Sequence, residues 1–190
     1  MKRITLILLA GLAAGTLGIG VAMAPSFAKE MTKMVGGAAM YPSLNIVENA
    51  VNSKDHTTLV TAVKAAGLVP TLESPGPFTV FAPTNEAFAK LPDGTVQNLL
   101  KPENKALLTK ILTYHVVAGR LTTLDLKKMV KEGGGKAELK TMQGEPLAIE
   151  EQDDRLWLID AKGDKAEITI SNVMQSNGVI QVINTVMLPG

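Results

Sequence analysis

The sequence contains no cysteine, and aromatic residues account for only 4% of its 190 positions. Without thiols the chain has no disulfide bonds, no thiolate nucleophile and no cysteine ligands for a metal. Only two histidines are present, His56 and His115, and two histidines without cysteine do not make an ordinary zinc site. Stability must therefore come from burial and hydrogen bonds, and we expect no cofactor.

The N-terminus has the composition of an export signal. Lys2 and Arg3 precede a charge-free run over residues 4–28, which matches the positive and apolar regions of a secretory signal peptide. Ser26-Phe27-Ala28 has the small-x-small pattern of a cleavage site. We therefore expect a signal peptide over residues 1–28 and a secreted or periplasmic mature chain. The run is also long enough to span a bilayer, so an uncleaved anchor is the alternative.

The mature part has the length and charge of one near-neutral domain. It contains 162 residues, with 17 basic and 18 acidic side chains, a balance that argues against nucleic-acid binding. After cleavage we expect no membrane attachment. Residues 29–39 show no steady period and are predicted to form a flexible leader to a domain over residues 40–190.

Three methionines lie in or beside the leader: Met31, Met34 and Met40. Their thioethers could contact a soft metal such as Cu(I). Methionine is more often an adaptable filler of apolar space, and without cysteine or histidine such a site is poorly specified. We therefore expect no metal.

The stretch over residues 78–92 changes periodicity in its middle. Its first half alternates like an interior strand, with Phe78, Val80 and Ala82 on one face and Phe81 on the other. Pro83 has no N–H for a strand ladder, and Thr84 can cap a following helix. We interpret the stretch as a core-forming corner without chemistry. Its structural residues are Phe78, Phe81, Pro83, Thr84, Asn85 and Phe88.

Helical spacing accounts for most of the remaining first half. Ser43 is predicted to cap a first helix and Asp55 a second one, which ends at Gly67. His56 then falls in the first turn of the second helix, where we expect an exposed, neutral imidazole. Residues 68–77 are rich in proline and glycine and predict a loop. Further helices are predicted over 95–100, from Pro102 to Leu112, and over 124–130, the last with Leu124, Leu126, Met129 and Val130 facing inward.

The second half alternates with a period of two residues. Strands are predicted over 137–142, 146–150, 156–159 and 167–170, with turns between them, which indicates an antiparallel meander. Glu150, Glu151, Asp153 and Asp154 crowd one turn. Their spacing lacks the features of a calcium-binding EF-hand loop, so we interpret this turn as a solvated hairpin tip.

Tyr114 and His115 lie where an apolar helix becomes an extended segment. As a catalytic base, His115 would need a nucleophile and an orienting partner, and the sequence shows no Gly-x-Ser-x-Gly elbow. We expect both rings to be half-buried and hydrogen-bonded to nearby backbone.

The last strand of the sequence follows the turn signal Asn177-Gly178 and is apolar on both faces up to Pro189. Such a run predicts a central strand, and within it we expect Asn184 to be buried with its amide hydrogen-bonded. Together with residues 78–92 and the Tyr114-His115 pair, this closing motif makes residues 40–189 resemble the fasciclin-like (FAS1, beta-Ig-H3) family.

The resemblance implies an α+β fold in which a wedge-shaped antiparallel β-sandwich is flanked by helices from the N-terminal half. It also implies a non-catalytic adhesion module that binds a cell-surface or matrix component, with polysaccharide among the candidates, and it points weakly to Tyr114 and His115 as contact residues. Many members have His and Asp in the last motif, where this chain has Gln181 and Asn184. Because some members resemble carotenoid binders, the alternative is a carrier of an apolar small ligand, such as a carotenoid, in a helix–sheet cleft lined by Leu, Val and Met.

Overall fold

The structure is a computed structural model that describes residues 32–190. The expected signal peptide, its cleavage site and Met31 lie outside the described residues. The described part contains seven α-helices: α1 (Ile46–Ala50), α2 (Thr57–Ala66), α3 (Val69–Glu73), α4 (Asn85–Ala89), α5 (Thr95–Leu99), α6 (Lys105–Tyr114) and α7 (Thr123–Glu132). It also contains nine strands: β1 (Lys33–Val35), β2 (Ala38–Met40), β3 (Phe78–Pro83), β4 (Val116–Ala118), β5 (Lys136–Lys140), β6 (Pro146–Gln152), β7 (Arg155–Ile159), β8 (Lys165–Gln175) and β9 (Gly178–Ile183).

Seven of the strands form one curved sheet in the order β4-β3-β9-β8-β7-β6-β5. Its pairings are antiparallel except for that of β3 with β9, which run parallel. Val117 of β4 and Thr141 beyond β5 form a further antiparallel bridge, so the two edges of the sheet nearly meet as in a barrel. The predicted α+β fold and the meander over β5 to β8 are confirmed.

Strand β3 separates two apolar cores, as its alternation predicted. Val80 and Ala82 belong to the core beneath α1, α2 and α6, whereas Phe81 belongs to the core enclosed by α7 and the meander. Both faces of a strand with a core on each side must be apolar. The corner at Thr84 also forms as predicted, because its side chain accepts a hydrogen bond from the amide of Ala87 at the start of α4.

Several predicted boundaries in the first half are wrong. Asn45 and not Ser43 caps α1, because its side chain accepts from the amides of Val47 and Glu48 while Glu48 bonds back to Asn45. Asp55 caps no helix; it lies in a 3-10 turn over Lys54–His56 that precedes α2. The predicted loop contains α3, which tolerates Pro70 because the first turn of a helix needs no N–H there.

The predicted flexible leader is instead partly ordered as a hairpin. Strands β1 and β2 pair antiparallel through the two-residue turn Gly36-Gly37, in which both glycines have positive φ. A glycine pair is suited to the tight hairpin turn that matches the twist of the strands. Val35 and Met40 from the hairpin are buried in the first core, so the segment is part of the domain.

Two further expectations, on which side chains are buried, are wrong. Strand β9 and its ladder with β3 both end at the pair Ile183 and Pro83, so Asn184 lies beyond the strand and is only half-buried. In α7, Leu126 and Val130 face the core as predicted, but Leu124 is 78% exposed in the first turn.

Candidate functional site

Tyr114 ends α6 and is completely buried in the second core. Its hydroxyl donates a 3.0 Å hydrogen bond to the carbonyl of Pro146 at the start of β6. Burial first, and the negative charge of Asp160 second, raise the pKa of the phenol to about 12. The side chain therefore links the end of α6 to the meander as a neutral hydrogen-bond donor.

His115 follows Tyr114 and is 2% exposed. Its Nε2 accepts a 3.0 Å hydrogen bond from the amide of Met187, so the proton of the neutral ring lies on Nδ1, which donates to the carbonyl of Ile111 at 2.9 Å. Burial lowers the pKa of the imidazole to about 4, against smaller opposing effects of the Ile111 carbonyl and Asp160. The ring is neutral at physiological pH, with both nitrogens bonded inside the protein.

The Tyr-His pair thus lies deeper than the half-buried position predicted from the sequence. The carbonyl of His115 also accepts from the amide of Phe81 at 2.9 Å, which places the pair beside strand β3. In this arrangement neither side chain offers a polar atom to solvent.

Asn177 and Gly178 fix the turn before β9. The side chain of Asn177 accepts a 3.0 Å bond from the amide of Ile46 and donates to the carbonyls of Leu72 and Ser74 at 2.8 and 2.9 Å. At Gly178, a Cβ atom would lie 2.2 Å from the carbonyl oxygen of Phe78. The turn therefore needs an amide side chain followed by a residue without a side chain.

The two departures from the family pattern, Gln181 and Asn184, have different roles. Gln181 is fully buried; its Nε2 donates to the carbonyl of Leu121 at 3.0 Å and its Oε1 accepts from the amide of Asn172 at 2.9 Å. Asn184 uses its Oδ1 to accept from the amide of Glu167 at 2.9 Å. Both are hydrogen-bonded within the fold.

Asn85, one of the corner residues, connects α4 to the start of α2. Its Oδ1 accepts from the amide of Thr58 at 3.0 Å, and its Nδ2 donates to the carbonyl of Lys54 at 2.8 Å. Phe88 in the same helix is buried in the first core. The corner thus positions the helices that cover the sheet.

His56 is buried and not exposed as the sequence predicted: it is 3% exposed. The 3-10 turn before α2 points it inward, where its Nδ1 lies 2.8 Å from the hydroxyl of Ser53. Among the described residues, its buried Nε2 makes no hydrogen bond of normal geometry. Burial lowers the pKa of His56, and the nearby Ala82 carbonyl and the charge of Asp55 offset part of that effect.

Both histidines line an apolar cavity of about 60 Å³ in the first core. The cavity lies between α1, α2, α3 and the sheet, and Val35 and Met40 of the hairpin close one side. The sequence predicts a cleft between helices and sheet only through the carrier alternative, and no local pattern identifies these walls, because they come from segments far apart in the chain.

The acidic side chains at the turn between β6 and β7 form ion pairs with lysines. Lys127 of α7 forms ion pairs with Glu151 at 2.9 Å and with Asp154, and Lys165 pairs with Glu150.

Over residues 32–190, no group of three or more His, Asp or Glu side chains is arranged to hold a metal ion. Over the same residues, no helix has the length and apolarity to cross a membrane.

Comparison with known proteins decides the family. A family model for the fasciclin domain matches residues 54–189. The chain belongs to the fasciclin domain family. The domain shares the fold of a FAS1 domain pair from the insect cell adhesion molecule fasciclin I, with a TM-score of 0.70 and 21% identity over 78% of this chain and 52% of that one.

Relatives of this fasciclin domain occur in bacteria and animals. Protein sll1483 of Synechocystis sp. is 46% identical over 89% of this chain and 87% of its own length. Immunogenic protein MPB70 of Mycobacterium bovis is 32% identical over 93% of this chain and 92% of its own. The match to transforming growth factor-beta-induced protein ig-h3 of Sus scrofa is 37% identical over 69% of this chain but covers only 17% of that protein.

Proposed function

We propose that this protein is an exported, non-catalytic fasciclin module that binds a cell-surface or matrix component. The observation that carries the proposal is that the family motifs form the fold and not a reactive site. Tyr114, His115 and Asn177 all use their polar atoms in bonds to backbone groups of the same chain. The family motifs therefore leave contact with a partner to the outer surface of the domain.

Two features support the external location and the type of partner. The N-terminal composition is that of an export signal, and the structural relative, fasciclin I, is an insect cell adhesion molecule. The near-neutral mature charge favours a polysaccharide or protein partner over a polyanion.

The Ser53–His56 pair is the arrangement most similar to a catalytic one. Its 2.8 Å contact has the length of a nucleophile–base hydrogen bond. However, both residues are buried, so no substrate reaches them, and burial lowers the pKa of His56, which makes the ring a weaker proton acceptor. We therefore assign the pair to structure, as a hydrogen bond that holds the 3-10 turn.

The carrier alternative receives limited support from the cavity. The cavity measures about 60 Å³, and one water needs roughly 10–15 Å³. The cavity therefore holds only several waters and is too small for a ligand of carotenoid length. A visible absorption band in protein purified from its native source would favour the carrier, and a colourless protein the interaction module.

A binding experiment with isolated cell envelopes tests the proposal. Fluorescently labelled mature protein is incubated with envelopes of its source organism, with unlabelled protein as competitor. We expect saturable, competable binding that protease or periodate treatment of the envelopes abolishes, according to whether the partner is protein or polysaccharide. Binding that neither saturates nor competes would refute the proposal.

A further inference from the structure

The apolar cavity of the first core has one charged residue in its lining, Lys64 of α2. Its inner walls are aliphatic residues of the helices and of the sheet, such as Val63 and Ile180. Among the lining residues, Lys64 is exposed, and Val47, Ala50 and Val60 of α1 and α2 are half-buried. The interior is apolar, and we take these four residues, which reach the surface, as the mouth of the cavity.

Lys64 is available to a ligand. None of the ion pairs formed within residues 32–190 includes Lys64. Glu48, the acid on the neighbouring helix α1, is engaged at its own helix start, where it accepts from the amide of Asn45 at 2.7 Å. An exposed ammonium group without an ion-pair partner on a lining residue thus favours an anion.

We propose that this cavity binds a short-chain carboxylate, with the alkyl chain between α2 and the sheet and the carboxylate beside Lys64. The orientation follows from desolvation, because a carboxylate is expensive to bury whereas an alkyl chain gains by leaving water. A ligand in the reverse orientation would place its charge among valines and leucines. The buried Nε2 of His56 provides a polar point at the inner wall and a spectroscopic probe of occupancy.

The cavity volume limits the length of the chain. About 60 Å³ corresponds to several waters, which suits a chain of about six carbons better than a membrane lipid. A ligand with so few non-hydrogen atoms is expected to bind with a Kd of about 1 mM. The proposal concerns the interior of the domain and is independent of the adhesion function proposed for its surface.

Methyl-resolved NMR of the mature protein with sodium hexanoate tests the site. We expect saturable shifts of the Val63 and Ile180 methyl groups and of the His56 ring. Lys64→Met should weaken hexanoate binding about fivefold, the size of a partly exposed ion pair. Lys131→Met, at an exposed lysine of α7 outside the cavity, should leave the affinity unchanged, and hexan-1-ol should bind equally to all three proteins.

Two mouth-filling variants complete the test. Ala50→Leu and Val60→Phe place extra volume at the opening from α1 and α2, and either one that keeps the native circular dichroism spectrum should abolish the hexanoate shifts. The proposal is overturned if wild-type protein shows no saturation up to about 10 mM, ten times the expected Kd. It is equally overturned if Lys64→Met and Lys131→Met bind hexanoate alike, or if a folded mouth-filling variant binds like wild type.

Discussion

His115 and Met187 are joined by a hydrogen bond from the amide of Met187 to Nε2 of His115, 3.0 Å long across 72 residues of sequence. The other ring nitrogen donates to the carbonyl of Ile111 in α6. One imidazole therefore connects the end of α6 to the segment that follows the interior strand β9. Both ends of this connection are buried, so its loss would affect the two cores together.

Replacing His115 with Ala should destabilise the domain. The variant leaves a cavity and a buried Met187 amide without its acceptor, for which we expect a loss of about 2–4 kcal/mol in the free energy of unfolding. Leu107→Ala, at a 49% exposed position of the same helix, should cost less than about 1 kcal/mol. Urea denaturation measures both. Equal midpoints for His115→Ala and wild type would contradict the structural role of His115.

Acidification should destabilise the protein through its histidines before the carboxylates titrate. His115 has a folded-state pKa of about 4 against an ordinary value of 6.5, so below pH 6.5 the unfolded state binds the extra proton. The contribution of His115 to the free energy of unfolding is fully present above pH 6.5. It is lost as the pH falls towards 4, by about 3 kcal/mol in total. The lowered pKa of His56 acts in the same direction.

Denaturant midpoints between pH 7.5 and pH 5 measure this effect. His115→Gln removes one titrating group, and its stability should vary less with pH than that of wild type. Identical pH dependence in the two proteins would show that folding does not lower the pKa of His115.

Two asparagine-to-aspartate changes should have opposite outcomes. Asn177 donates its amide protons to the carbonyls of Leu72 and Ser74, which a carboxylate cannot do, so Asn177→Asp should cost about 2–4 kcal/mol. Asn184 uses its oxygen as an acceptor from the amide of Glu167, a role that aspartate retains, so Asn184→Asp should cost less than about 1 kcal/mol. Thermal unfolding at pH 7 compares the pair, and similar losses would argue against the assigned hydrogen bonds.

The Gly36-Gly37 turn permits a matched test of hairpin packing. Both glycines have positive φ, so alanine is strained at either position. Only at Gly36 would the new Cβ also meet the chain, 2.4 Å from the Ser53 hydroxyl and 2.6 Å from the Asp55 amide. Gly36→Ala should therefore lower stability by at least about 1 kcal/mol more than Gly37→Ala. Equal effects in a denaturant titration would mean that the hairpin does not pack against this turn.

Local patterns in the sequence determined much of this fold. The strand-to-helix corner at Pro83 and Thr84, the meander of the second half and the apolar closing strand all follow from periodicity and capping, which act between residues close in sequence. The order of these motifs also indicated the family. Tyr114 and His115 stood out for the same reason, as a polar pair at the junction of two apolar segments.

The tertiary structure decided what those residues contact. The sequence contains nothing that pairs His115 with Met187 or turns His56 inward, because these contacts join segments that meet only after folding. The end of β9 was predicted too late in the sequence for a related reason. Val186 and Met187 are apolar and buried, but they do not belong to a strand. Apolar alternation indicates burial but not strand pairing, and only the structure shows that the ladder with β3 ends at Ile183 and Pro83.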